Sequence, residues 1–152
     1  MIFLGVNTGT SADAVDCVAC EFMSGQQQFL HGVSVAIPDR LQKKIVSAVE
    51  AEALNIADCL QMQTQLTDIY VQAVNLLISE LGVSREKIVA IGLHGQTIHH
   101  RPDLACPYSL QLEDAHQLMN AVNISVVDHF RATDIACGGQ GAPLTPIFHN
   151  VI

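Results

Sequence analysis

Ile88-Val89-Ala90-Ile91-Gly92-Leu93 runs directly into His94-Gly95-Gln96-Thr97. The first six residues are almost wholly apolar and β-branched at three positions, the pattern of a strand covered on both faces. Polarity changes abruptly at its end, and in open α/β sheets ligands collect where strands end. On the N-terminal side, Leu66, Ile69, Ala73, Val74 and Leu77 recur at helical spacing, which predicts a helix from about Ala57 to Leu81 with Gly82 as its stop. Before it, Pro38-Asp39 opens another helix, with Asp39 as N-cap, Gln42 three residues on, and Leu41, Ile45 and Val49 on one stripe. Ile2 to Val6, Val15 to Phe22 and Phe29 to Ile37 read as three strands of a meander. Asn7 to Ser11 and Ser24-Gly25-Gln26 are the connections. On the C-terminal side, a loop holds His99, His100, Arg101, Pro102 and Pro107, and Ser109 to Leu112 alternates like a short edge strand. Residues 113–122 look helical, and Ile124 to Val127 is another short strand. Three strands, helices, then strand–helix–strand is an α/β order, which predicts a central mixed sheet flanked by helices.

The chain has 152 residues, room for one ordinary domain and too little for two. Hydrophobic residues make up 49% and charged residues only 14%, with a mean hydropathy of +0.32, which excludes a disordered chain. So little charge suits a sheet buried on both faces, or a surface meant to be covered. Seven Lys+Arg against fifteen Asp+Glu give a net charge of −8, and the only basic run is Lys43-Lys44. This argues against nucleic acid and anionic membrane as partners. No signal peptide is read at the N-terminus, and no apolar run approaches the roughly 20 residues of a membrane span. The expectation is a soluble, cytoplasmic protein. Five scattered cysteines fit reduced thiols. Cys17 and Cys20 have CxxC spacing, but on a strand they point to opposite faces and cannot share a metal.

Three polar clusters can carry chemistry. Gly9-Thr10-Ser11-Ala12-Asp13-Ala14-Val15-Asp16 joins the first two strands. A glycine followed by two hydroxyls lets N–H and O–H groups converge on phosphate oxygens, and a nearby carboxylate can hold Mg²⁺ directly or through water. An ordinary hairpin turn with Asp13 and Asp16 solvated fits the same residues. His94-Gly95-Gln96-Thr97, with His99, His100 and Arg101, offers imidazole, amide and hydroxyl to a polyhydroxylated ligand. A capped turn with exposed histidines is the plain alternative. Zinc held by His94, His99 and His100 matches no standard spacing, so no metal ligands are assigned. Asp128-His129-Phe130-Arg131-Ala132-Thr133-Asp134 leads into Gly138-Gly139-Gln140-Gly141-Ala142-Pro143. There Arg131 can grip a carboxylate or phosphate bidentately, while a helix capped by Asp128 is the alternative.

Taken in order, the three clusters resemble the anhydro-N-acetylmuramic acid kinase family, a branch of the sugar-kinase, heat-shock ATPase and actin superfamily. Thr8 to Asp16 is similar to the family's S-G-T-S-x-D-G-x-D loop. His94 to Ile98 repeats its H-G-Q-T-I element, and Phe130, Arg131, Asp134 and Gly138 to Leu144 follow its D-F-R-R-x-D and G-G-Q-G-A-P-L stretch. Pro146, Phe148 and His149 continue the likeness, which runs from residue 2 to the end in one register. The chain departs from the pattern at Ala14, where a loop glycine is usual, and at Thr8, where a serine is usual. It departs again at His129, between Asp128 and Phe130, and at Leu112-Glu113-Asp114-Ala115, where the family has a glycine and a proline around its aspartate.

The resemblance implies an α/β, ribonuclease H-like (actin-like ATPase) mixed sheet. It implies a kinase that uses ATP and Mg²⁺ to open the anhydro bridge of 1,6-anhydro-N-acetylmuramic acid hydrolytically and phosphorylate O6, giving N-acetylmuramic acid 6-phosphate in peptidoglycan recycling. Gly9, Thr10, Ser11, Ala12, Asp13, Ala14, Val15 and Asp16 would then hold the ATP phosphates. Thr97 and Arg131 would face the sugar, with His94 and Gln96 beside them. The resemblance also implies a homodimer. Its catalytic aspartate, a second phosphate loop and its C-terminal lobe would all fall beyond Ile152. Residues 1–152 are accordingly expected to be a truncated N-terminal lobe of an incomplete fold, with little activity alone and with exposed apolar surface or an unpaired strand edge near the C-terminus. The alternative is a non-catalytic sugar- or nucleotide-binding or assembly module.

Overall fold

The computed structural model describes residues 1–23 and 26–145. Strands β1 (Ile2–Thr8), β2 (Ala14–Met23) and β3 (Gln26–Ala36) form the expected antiparallel meander, whose Ser24-Gly25 connection lies outside the described residues. Helices α1 (Asp39–Glu50) and α2 (Ile56–Leu81) follow, then a 3₁₀ turn at Arg85–Lys87 and β4 (Ile88–Leu93). A two-stranded antiparallel sheet of β5 (Gln96–Arg101) and β6 (Tyr108–Leu112) comes next, then α3 (Ala115–Val122), β7 (Val126–Val127) and α4 (Phe130–Ala136). The main sheet has the order β3-β2-β1-β4-β7, with β4 parallel to both β1 and β7. This is the mixed sheet flanked by helices that the sequence predicts, and it is consistent with an actin-like ATPase type of fold.

One face of the sheet carries the core. Leu4 and Val6 of β1, Val15, Cys17 and Ala19 of β2, and Ile91 and Leu93 of β4 alternate inward against Leu66, Tyr70, Ala73, Val74 and Leu77 of α2. Cys17 is wholly buried, and that burial pushes its thiol up to about 12, so it packs as a small hydrophobe. Cys20 is only partly buried, as opposed faces require. The side chain of Asn55 caps α2 by accepting from the N–H groups of Ala57 and Asp58. Gly82 closes it in the left-handed conformation at φ +64°.

Four local expectations are corrected. Asp39 is the first helical residue and not the cap: Pro38 holds the N-cap position at φ −56° with no side-chain capping bond. Gln42 is therefore free to donate to the backbone oxygen of Ser11 at 3.0 Å, which ties α1 to the first loop. The run around His99 and His100 is strand β5, because Tyr108 to Leu112 supplies a pairing partner across a bulge between Thr97 and His99. Asp128 does not cap α4. His129 occupies that position at φ +55°, again without a side-chain cap. Finally, β4 is not covered on both faces: Val89 is exposed, and on the face away from α2 the ring of Phe130 lies over Gly92.

Candidate functional site

The three clusters, at residues 9–16, 94–101 and 128–143, meet at one cavity of about 710 Å³ at the C-terminal ends of β1 and β4. Parallel pairing sets this meeting point. Val6 lies beside Leu93, and the backbone N–H of His94 donates to the Val6 oxygen at 3.0 Å. Thr8, Gly9 and Thr10 line one side, His94, Gln96, Thr97 and His100 another, and Arg131 with the Ala142–Thr145 stretch a third.

Of the first loop, Gly9 and Thr10 reach the cavity, whereas the remaining residues to Asp16 lie outside its lining. Ala12 and Val15 are fully buried core side chains, and Ala14 opens β2 opposite Ala36. The Cβ that distinguishes Ala14 from glycine thus stands away from the cavity wall. Ser11 Oγ donates to Asp13 at 2.5 Å, and this bond, with backbone N–H groups, holds the exposed Asp13 carboxyl below the usual carboxylate range. Asp16 is exposed on β2, on the opposite sheet face.

The second and third clusters lock together. Nδ1 of His94 lies 2.9 Å from the Gly95 oxygen, which can only accept, so Nδ1 carries the proton. Nε2 is then bare and accepts from Arg131 Nε at 3.0 Å. Burial, with the Arg131 charge adding to it, lowers the His94 pKa and keeps the ring neutral. Arg131 also donates from one Nη to the Gly141 oxygen at 2.8 Å, which leaves three guanidinium N–H groups without a partner among the described residues. The Gly141 N–H donates back to Asp134 at 2.7 Å. Gly141 sits at φ +71°, and a Cβ there would press on the Arg131 oxygen and Ile135. Arg131 is the one Lys or Arg of the lining among the described residues, and neither Asp nor Glu joins it there.

Gln96 is 2% exposed, and its Oε1 has no hydrogen-bond partner among the described residues. A buried amide oxygen without a donor is costly, and a ligand hydroxyl reaching it would remove that cost. Thr97 Oγ1 accepts from Gln111, which leaves its own hydrogen to donate. His99 turns away toward the Ala51 oxygen and His100 pairs with Ser109, so His94, His99 and His100 do not converge on a metal.

The family model described as anhydro-N-acetylmuramic acid kinase matches residues 1–152. The chain belongs to the anhydro-N-acetylmuramic acid kinase family. Membership supports a sugar-kinase role in anhydromuramic acid recycling. Among the described residues, no helix is long and apolar enough to cross a membrane. The sequence reading included Ala142 and Pro143 in its third cluster but did not select Asn7, Val49 or Thr145 as part of the site. Asn7 and Val49 carry no motif signal; their place follows from strand ends and helix packing.

Proposed function

We propose that this cavity binds 1,6-anhydro-N-acetylmuramic acid beside the phosphates of ATP, and that the chain serves the kinase reaction that opens the anhydro bridge and phosphorylates O6. The orphaned oxygen of Gln96, a residue that lines the same cavity as a cation with three N–H groups unused among the described residues, carries the reading. The free N–H groups of Arg131 take the lactyl carboxylate, Gln96 Oε1 accepts from a sugar hydroxyl, and Thr97 donates to another oxygen. His94 acts through Arg131 by fixing the plane of its guanidinium. Gly9 and Thr10 fit phosphate oxygens at the cavity rim. The first-loop carboxylates Asp13, held low by its bond from Ser11, and Asp16 stand outside the cavity lining, so they would meet Mg²⁺ only through its waters. ATP supplies the phosphoryl group, and Mg²⁺ the charge that offsets its oxygens.

Since the described lining holds no carboxylate to activate a nucleophile, binding without turnover by these 152 residues is the second reading. Calorimetry with the anhydro sugar and with ATP·Mg²⁺ tests both. Heat is expected for each, and Arg131→Gln should weaken sugar binding by about 1.5–3 kcal/mol, the worth of a charge-assisted bond, while ATP binding holds. Absence of heat for either ligand rejects the corresponding half of the reading. A turnover assay on the same sample separates the kinase from the binding module.

A further inference from the structure

Behind the cavity, Glu113 closes the β6–α3 junction while Asp128 and His129 form the β7–α4 junction, and the three side chains face one another. One ligand atom from each lies within 4.8 Å of the other two. His129 Nδ1 is 3.2 Å from Glu113 Oε1, and Nε2 is 3.6 Å from Asp128 Oδ2. The Glu113 side chain is 2% exposed, yet neither of its oxygens has a hydrogen-bond partner among the described residues. Such a carboxylate is expensive to bury, and here a second one stands beside it. Burial first, then the Asp128 charge, push Glu113 up to about 7, with only the nearby His129 backbone N–H opposing them. Both carboxylates and the imidazole are competent ligands, and a dication would balance the two negative charges.

We propose that Glu113, Asp128 and His129 bind one divalent first-row transition cation, of the Zn²⁺ or Mn²⁺ class. A nitrogen ligand beside two carboxylates favours that class over Mg²⁺ and Ca²⁺, which take oxygen shells. Three protein ligands leave a position for water on the exposed His129 side. The ion joins the two junctions that hold the cavity wall. Glu113 packs against Gly95 of the His94–Thr97 turn, and His129 starts the helix that carries Arg131. Its role is therefore to clamp the spacing between that turn and Arg131.

The test is metal uptake by tag-free, chelator-stripped protein, read with no sugar or nucleotide present and so independent of the proposed function. Calorimetric titration with ZnCl₂ and with MnCl₂ should give one site per chain for at least one of them. Co²⁺ in its place should show ligand-field bands without a thiolate charge-transfer band. Glu113→Gln and His129→Asn should each weaken uptake by about 100-fold, since loss even of an outer-shell partner costs about 10–100-fold. His31→Gln, on a distant surface, should leave it unchanged. His129 is exposed and asparagine tolerates its left-handed backbone, so His129→Asn keeps the fold in place even if Glu113→Gln does not. No uptake, which would make His129 only an ion-pair partner of Glu113, overturns the proposal. So does uptake with a thiolate band, or uptake that survives His129→Asn.

Discussion

His94 accepts from Arg131 only while its Nε2 is bare. Because burial lowers its pKa below 6.5, the unfolded chain takes up this proton before the folded one does. Its contribution to stability is thus intact above pH 6.5 and is lost as pH falls through that value toward the lower folded-state pKa. Thermal unfolding of wild type and His94→Gln from pH 8 to pH 5 should show the difference between them changing below pH 6.5, with the wild type losing more. Parallel curves would mean that the His94 ring does not titrate differently on folding. Gly95, next in the chain, sits at φ +70°, where a Cβ would run into the carboxyl of Glu113 and the side chain of Gln111. Gly95→Ala should cost about 1–3 kcal/mol in urea unfolding from backbone strain alone, and more from the clash. The His-Gly-Gln-Thr motif was legible as chemistry, but the tautomer, the orphaned Gln96 oxygen and the packing of Gly95 required the fold.

Among the elements, α2 carries the largest share of the core and was the most legible, since its apolar positions repeat from Met62 to Ile78 and Gly82 marks its end. Leu66→Ala, at a fully buried position, should destabilise by about 2–5 kcal/mol. Tyr70 Oη donates to the Leu112 oxygen at 3.2 Å, joining α2 to β6, so Tyr70→Phe should cost about 1 kcal/mol. Equilibrium denaturation checks both, and equal losses for the two would contradict this division between packing and hydrogen bonding. Legibility was poorest where a tertiary partner decided the outcome. Residues 98–101 carry two histidines and an arginine before a proline, a loop-like composition, and became a strand only because residues 108–112 lie alongside. At the start of α1, Asp39 and Gln42 have a capping-box spacing, but Pro38 and the attraction of Gln42 to Ser11 redirected it. At α4, the left-handed turn at His129 displaced the Asp128 cap and brought both residues to Glu113.

For the whole molecule, the low charge read from composition is matched by a sheet face left open. Away from α2, Val18, Phe22, Phe29 and Phe130 are all exposed to 37% or more, and the edge of β7 opposite β4 pairs with no other strand among the described residues. Such a surface should make the protein associate with concentration in sedimentation, and Phe29→Lys should reduce that association; a concentration-independent monomer would show that the face is inert. The cavity lies at the strand ends, where parallel pairing of β1 and β4 brings three distant motifs together. The account turns on that convergence, and amide shifts during titration with the anhydro sugar test it most directly. The predicted result is that the largest changes fall at Gly95, Gln96, Thr97, Arg131 and Gly141, with the surface groove between Lys43 and Met62 unmoved. Shifts centred on that groove, or a silent Gly95–Thr97 turn at saturating sugar, would contradict it.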